Sequence, residues 1–307
     1  MTPIARKLLA PSLDTFGRSS TLPAEAYTAW SVFRWEQEHF FDRSWVCAGR
    51  AGDPREETGD RRGAEWQGWH FANASGDAPT FEEHAGNLEE LVRSYGCEEL
   101  VVAARRDYQI AANWKILAEN YHECYHCSSI HPELCKVSPP KSGEDHEAQG
   151  AWIGGSMELE DHAETMSLDG KSHAPKLPRL TEGQDHTVYY FQLFPNLLIS
   201  LHPDYVMTHR LRPLAPDRTA VECEWLFSKE AVEQEGFDPS YASDFWDITN
   251  GQDWGACEGV QRGVSSRGYR QGPLSPDEST SGKFVATVAR GYLEGGIYHV
   301  PDQPAVS

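Results

Sequence analysis

The stretch NWKILAENYHECYHCSSIHPEL, residues 113–134, crowds carboxylates, three histidines and two cysteines into about six turns of a helix. On a regular helix Asn120, Glu123 and His126 fall three residues apart and share one face, with Glu119 on a neighbouring line. His131 misses that face, because an i,i+5 step rotates by about 140°. The spacing therefore predicts that the helix loosens into a π-like turn or ends between His126 and His131. Pro132 favours an ending, since the residue before a proline is pushed out of the α region. A His-x4-His at such a disturbed helix end can hold a metal ion. Two other readings stand beside it. Cys124, Cys127 and the histidines have the spacing of a zinc knot, and Cys124 and His126 could be core residues of an amphipathic helix. A third ligand from elsewhere in the chain decides between them.

A carboxylate in the right company occurs far downstream, at Asp253 in FWDITNGQDWGACEGVQRG. Two histidines and one carboxylate form the facial set used for non-haem Fe(II), which leaves coordination positions open on one side. Spacing alone does not bring Asp253 to the histidines. Taken together, however, the two stretches resemble the catalytic domain of the large (alpha) subunits of Rieske-type oxygenases, the ring-hydroxylating dioxygenases and their relatives. ENYHECYHC, SLHPDYV and SRGYRQGPLSP are most similar to the glycine betaine and choline monooxygenase branch. The similarity runs from about Trp66 to Leu293, with Leu22–Arg50 upstream.

That resemblance implies a role for each residue. His126 and His131 match the two iron histidines and Asp253 the iron carboxylate. Glu123 matches the acid that links the mononuclear iron to a neighbouring subunit's iron–sulfur cluster, and Asn120 a polar position beside the iron. It implies an α+β fold of the helix-grip (START/Bet v1-like) kind, a curved antiparallel sheet wrapped on a long helix, with closing C-terminal helices. It also implies an oxidoreductase that uses O2 and mononuclear Fe(II) to hydroxylate or N-demethylate a small organic substrate, such as the quaternary ammonium glycine betaine. The partners implied are a reductase or ferredoxin and a homo- or hetero-trimer. Ten Trp and twelve Tyr could furnish a cation–π cage for such a substrate or simply fill the core.

One part of the family pattern is missing. A Rieske 2Fe-2S cluster is held by a Cys-x-His and a later Cys-x2-His. Cysteines stand at 47, 97, 124, 127, 135, 223 and 257; only Cys124 is followed two residues later by histidine, His126 itself, and none begins a Cys-x2-His. In the family, a segment like FFDRSWVCAGR leads into the cluster domain and one like EWQGWHFANASGDAP leaves it. Here the two are joined by a short polar bridge. Two further readings of the function follow: a non-catalytic helper subunit assembling with a full-length homologue, and a hydrophobic-ligand-binding module on the same fold.

Composition bounds the rest. The 307 residues include 27 basic and 47 acidic side chains, for a formal net charge of −20. Such a balance argues against nucleic acid, which needs clustered Lys and Arg, and against an anionic membrane surface. No apolar run is long enough to span a bilayer, and Leu8–Ala10 before Pro11 is too short for a signal-peptide core. The seven scattered cysteines read as reduced thiols in a cytoplasmic protein.

The elements expected to position these residues follow in order. Residues 1–20 read as a mobile leader and 21–50 as a flanking segment, with a helix over Pro23–Phe41 and a strand over Arg43–Arg50. Residues 51–65 read as a linker, 66–295 as the catalytic iron domain and 296–307 as a disordered tail. Within the domain, Trp66–Asn73 suggests a strand, Phe81–Tyr95 an amphipathic helix and Glu98–Ala112 an extended segment. Cys135–Asp185 reads as one long irregular loop. Strands are expected over His186–Phe194, Asn196–Leu201 continuing to Tyr205–Pro213, and Thr219–Phe227. Helices follow from Asp238 to about Gly263 and over about Pro276–Leu293. Gly251, Gly255 and Gly259 leave one face of the first nearly bare, which either the close approach of another element or plain solvent exposure would account for. His122, His146, His162 and His173 read as surface or loop residues.

Overall fold

A computed structural model of the chain describes residues 2–15, 17–53 and 63–300. The middle of the expected linker, 54–62, and most of the expected tail, 301–307, lie outside the described residues. In chain order the helices are α1 (Arg6–Leu9), α2 (Ala24–Thr28), α3 (Trp30–Glu36), α4 (Phe81–Ala85), α5 (Leu88–Val92), α6 (Trp114–Tyr121), α7 (Cys127–Ile130), α8 (Leu134–Val137), α9 (Lys229–Glu233), α10 (Ser240–Val264) and α11 (Ser279–Glu294). A small sheet takes β1 (Val46–Arg50), β3 (Trp69–Ala72) and β2 (Gly63–Trp66) in that order. A larger one follows the order β4 (Val101–Ile110), β10 (Arg218–Phe227), β9 (Val206–Ala215), β8 (Leu197–Leu201), β7 (Thr187–Leu193), β6 (Trp152–Glu158) and β5 (Glu144–Asp145). Every pairing is antiparallel.

This order explains where the central segment must run. β4 is one edge of the large sheet and β5 the other, so residues 111–143 have to cross its whole width. They do so as α6, α7 and α8, with α10 and α11 closing over the same face. That is the helix-grip architecture. The middle of the sheet is buried on both sides, and β8 shows why its sequence, LLISL, is apolar at all but Ser200. Leu197, Ile199 and Leu201 face the small sheet and α4–α5, while Leu198 joins the helix-covered core. Alternation by two still holds, but both faces demand apolar residues.

The N-terminal segments are bound into this core. Lys115 and Glu36 are both fully buried, and Lys115 Nζ lies 2.7 Å from Glu36 Oε1. Glu36 Oε2 also accepts from Trp114 Nε1 at 3.0 Å, and Tyr292 donates its hydroxyl to Glu36 Oε1. One buried carboxylate thus ties α3, α6 and α11 together. Asn113 caps α6 by accepting from Lys115 N at 3.0 Å, and its amide donates to Pro216 O at 2.6 Å.

Several expectations are corrected here. The described residues among 1–20 do not form a loose leader: Ile4 and Leu9 are 3% and 0% exposed, and Ser20 bridges Pro273. The apolar signal was hidden because α1 is only four residues long before Pro11. The linker expected over 51–65 already contains β2 from Gly63, and Ile297 in the expected tail is buried. The helix expected over Pro23–Phe41 breaks at Ala29, whose ψ of 124° is extended, and finishes as a π turn over Gln37–Phe41. That over Phe81–Tyr95 divides at Gly86, leaving two five-residue helices and a short 3-10 turn. Cys135–Asp185 holds β5 and β6 rather than one loop. Apart from α10's own backbone, nothing described comes within 4 Å of where a side chain would begin at Gly251 or Gly255, so no other element among the described residues covers this part of the bare face.

Candidate metal centre

Local chain geometry brings the central residues together differently from a single long helix. α6 ends at Tyr121, and His122 to His126 form a turn before α7. Asn120, Glu123 and His126 therefore do not share a continuous helical face. Glu123 organises the turn instead: its Oε2 accepts from the backbone N of Tyr125 at 2.5 Å and of His126 at 3.2 Å, and its Oε1 meets His126 Nδ1 at 2.5 Å. His131 closes α7 with φ −117° and ψ 68°, the non-helical conformation that Pro132 imposes on its neighbour. The helix breaks earlier than the spacing predicts: α6 stops at Tyr121, before both histidines, and only the separate one-turn α7 lies between them.

The result is a convergence of three donor atoms. His126 Nε2 and His131 Nε2 lie 3.2 Å apart, and Asp253 Oδ1 lies 3.3 Å from the first and 3.0 Å from the second. Two metal bonds of about 2.1 Å put their donors about 3.0 Å apart at a right angle and about 3.4 Å apart at a tetrahedral angle. One ion can therefore touch all three atoms, and two imidazoles with one carboxylate suit a first-row metal such as iron. Without an ion, a proton on His126 Nε2 accounts for its approach to Asp253 Oδ1 and His131 Nε2. Burial pulls the His126 pKa down, but its hydrogen bonds to Asp253 and Glu123 outweigh this and push it up to about 9. Burial alone would raise Asp253; the hydrogen bonds from His126 and His131 reverse that and hold it below the usual carboxylate range.

The outer nitrogens of both rings are committed. His131 Nδ1 lies 2.7 Å from Gln252 Oε1, which as an amide oxygen can only accept, so the proton sits on Nδ1 and the Nε2 lone pair faces the centre. Gln252 is itself fixed, donating from Nε2 to Glu133 Oε2 at 3.2 Å. Glu123 orients His126 in the same way. Asn120 Nδ2 stands 3.3 Å from His126 Nε2, on the rim of the centre. All five residues singled out by the sequence thus meet in one place.

The sequence did not give Gln252 and Glu133 their roles, although Gln252 adjoins Asp253 and Glu133 lies two residues after His131. It also missed the aromatic wall that runs away from the centre. Tyr121 packs edge-on to Tyr190 and His209, His209 to Trp254, and Tyr190 to Trp246. These residues come from α6, β7, β9 and α10, and the polar atoms Tyr190 Oη and Trp254 Nε1 are buried without a hydrogen-bond partner. Alternation in β7 and β9 was the available signal. His122 is corrected: it is 8% exposed, meets Gln192 Oε1 at 2.9 Å, and burial pushes it down to about 4. His162 and His173 are exposed as expected, while His146 is half-buried against Tyr189 and Phe191. Cys124 and Cys127, expected as thiols, form a disulfide.

Residues 97–294 match the family described as ring hydroxylating alpha subunit (catalytic domain). The glycine betaine monooxygenase oxygenase subunit of Pseudomonas aeruginosa strain UCBPP-PA14 is 28% identical over 236 residues, covering 68% of this chain and 55% of that protein. The carnitine monooxygenase oxygenase subunit of Escherichia coli strain K12 is 28% identical over 224 residues, covering 71% of this chain and 56% of that protein. The chain thus spans about half the length of the curated relatives it matches. Among solved structures, the quaternary ammonium Rieske monooxygenase CntA with an inhibitor superposes with a TM-score of 0.73 at 18% identity, over 94% of this chain and 98% of that one. Naphthalene 1,2-dioxygenase from Rhodococcus sp. follows at 0.69 and 15%, over 94% and 98%. At these identities the two structures speak for the fold.

Proposed function

The chain belongs to the ring hydroxylating alpha subunit family, through its catalytic domain, and from that premise we propose that it is the mononuclear Fe(II) oxygenase domain of a Rieske-type oxygenase. The observation that carries the reading is the meeting of His126 Nε2, His131 Nε2 and Asp253 Oδ1 within 3.3 Å of one another. Those three residues hold the iron in this reading, and iron bound there supplies the binding and reductive activation of O2. The reaction is O2-dependent hydroxylation or N-demethylation of a small quaternary ammonium compound of the glycine betaine or carnitine kind.

The chain's own residues do the rest. Gln252 keeps the His131 proton on Nδ1, and Glu123 Oε1 holds the one on His126 Nδ1, so both Nε2 lone pairs face the centre. Tyr121, Tyr190, Trp246 and Trp254 offer ring faces and edges on which a cationic substrate can rest while water is kept away. Asn120 supplies a polar group at the rim. Glu123 also serves as the entry point for electrons from another protein, since the sequence has no Cys-x-His and Cys-x2-His pair of its own. That same feature favours a second reading, a helper subunit without turnover. We further propose a cytoplasmic protein that assembles as a homo- or hetero-trimer and draws electrons from a reductase or ferredoxin.

One assay separates the readings. The iron-loaded chain, given O2, NADH, a reductase and glycine betaine or carnitine, should show no sustained turnover alone. Co-assembly with a cluster-bearing homologue whose iron site is disabled should restore it, and Glu123→Gln should remove the gain. Robust turnover by the chain alone would refute the electron route, and none in either state despite bound iron would favour the helper.

A further inference from the structure

The turn that carries His126 also carries two cysteines for which the reaction has no use. Cys124 and Cys127 are bonded to each other across a Cα–Cα distance of 4.9 Å, closing a small ring around Tyr125 and His126. Cys127 is buried at 4% exposure and Cys124 is half-buried beside the exposed Tyr125. The Cys127 sulfur and a ring nitrogen from each of His126 and His131 lie within 4.8 Å of one another. A sulfur in a disulfide has no thiolate lone pair to offer a metal, whereas the same sulfur as a thiolate, with two imidazoles, is the donor set of a three-ligand zinc site. Of the other cysteines, Cys97, Cys223 and Cys257 are buried thiols and Cys135 is half-buried.

We propose that Cys124 and Cys127 form a reversible thiol–disulfide site that sets which metal the neighbouring centre takes. As the disulfide, the pair leaves two imidazoles and a carboxylate, a set that suits iron. As the dithiol, it adds the Cys127 sulfur and draws in zinc. The iron half rests on the oxygenase reading above; the zinc half stands without it. A peroxide is a sufficient oxidant. The half-buried Cys124 thiolate attacks one peroxide oxygen, breaking the O–O bond and leaving a sulfenic acid and water. Cys127 then displaces the sulfenic oxygen as a second water, forming the S–S bond. The two sulfurs lose two electrons, the peroxide gains them, and the thiol protons leave in the water. A dithiol reductant reverses the step by exchange.

The test uses the metal-free full chain and Zn2+ alone, in a dithiol-reduced form and in a form treated with hydrogen peroxide and desalted. Thiol titration should show seven thiols falling to five. Competition against a chromophoric chelator should show zinc bound at least ~10-fold more tightly by the reduced form, in keeping with the preference of soft thiolate for zinc. Cys124→Ser should bind zinc tightly under both conditions, and Cys127→Ser weakly under both. X-ray absorption of the zinc-loaded reduced protein should show one sulfur at about 2.3 Å, absent from the oxidised form. Equal zinc affinity in the two forms, no sulfur neighbour in the reduced one, or no loss of thiols with peroxide would each overturn the proposal. Loss of iron binding with the zinc pattern intact would fault the oxygenase reading alone.

Discussion

At the scale of residues, most of the candidate centre was legible. His126, His131 and Asp253 were marked by chemical type, and the resemblance gave them a common purpose that spacing could not, since 122 residues separate His131 from Asp253. Gln252 and Glu133 stayed hidden because an amide and a half-buried acid carry no motif; only the fold brings Gln252 to His131 and Glu133 to Gln252. Their orienting role leads to a first expectation. Gln252→Ala should weaken metal binding by about 10–100-fold, as losses of such supporting partners do, with no comparable loss of fold stability. A second concerns protons. In the metal-free protein burial lowers the His126 pKa, but its hydrogen bonds to Asp253 and Glu123 outweigh that and push it up to about 9. Its contribution to stability is thus complete below its unfolded pKa and lost as pH rises through about 9. A metal must displace that proton, so iron affinity should rise about tenfold per pH unit from 7 to 9 and level off above. Chelator competition at constant ionic strength reads this directly, and a flat profile over that window would refute the protonated His126–Asp253 pairing.

At the scale of elements, the strands with clean apolar patterns were found close to their true bounds, and the misses have physical causes. β6 contains Gly154 and Gly155, which usually signal a break in a strand. Here they are required by close packing: a side chain begun at Gly154 would lie 2.0 Å from Tyr190 O, and one at Gly155 2.1 Å from Glu144 O. The long central helix failed for the opposite reason. Its residues have adequate helix propensity, but the Glu123 carboxylate captures the Tyr125 and His126 amides and stabilises a turn instead. Sequence reasoning gave no hint that Lys115 would be buried against Glu36, because neither carries an apolar signal. That pair leads to the third expectation. Lys115→Met leaves a buried carboxylate without its cation and should cost about 3–5 kcal/mol in denaturant unfolding. Combining it with Glu36→Gln should recover much of the loss, because an apolar side chain then faces a neutral amide that can still accept from Trp114. A single-variant loss under about 1 kcal/mol would show that water reaches the pair.

At the scale of the whole molecule, the chain is one large antiparallel sheet whose two faces are used differently. One grips the helices that carry the centre, and the other is covered by the small sheet and α4–α5. The small sheet is built from β1 on one side of the short polar bridge and β2 and β3 on the other, so the place where relatives are expected to carry a cluster domain is closed by strand pairing across it. Charge argues against nucleic acid and an anionic membrane surface, yet it could not reveal this arrangement, which rests on pairing between strands on either side of the bridge. The account as a whole depends on iron at the junction of α7 and α10. Its most direct test is metal analysis of the peroxide-oxidised chain after anaerobic Fe(II) loading and desalting, beside His126→Ala, His131→Ala and Asp253→Ala. About one iron per chain in the parent protein and almost none in each variant is the expected result; iron absent from the parent, or retained in full by the variants, would contradict it.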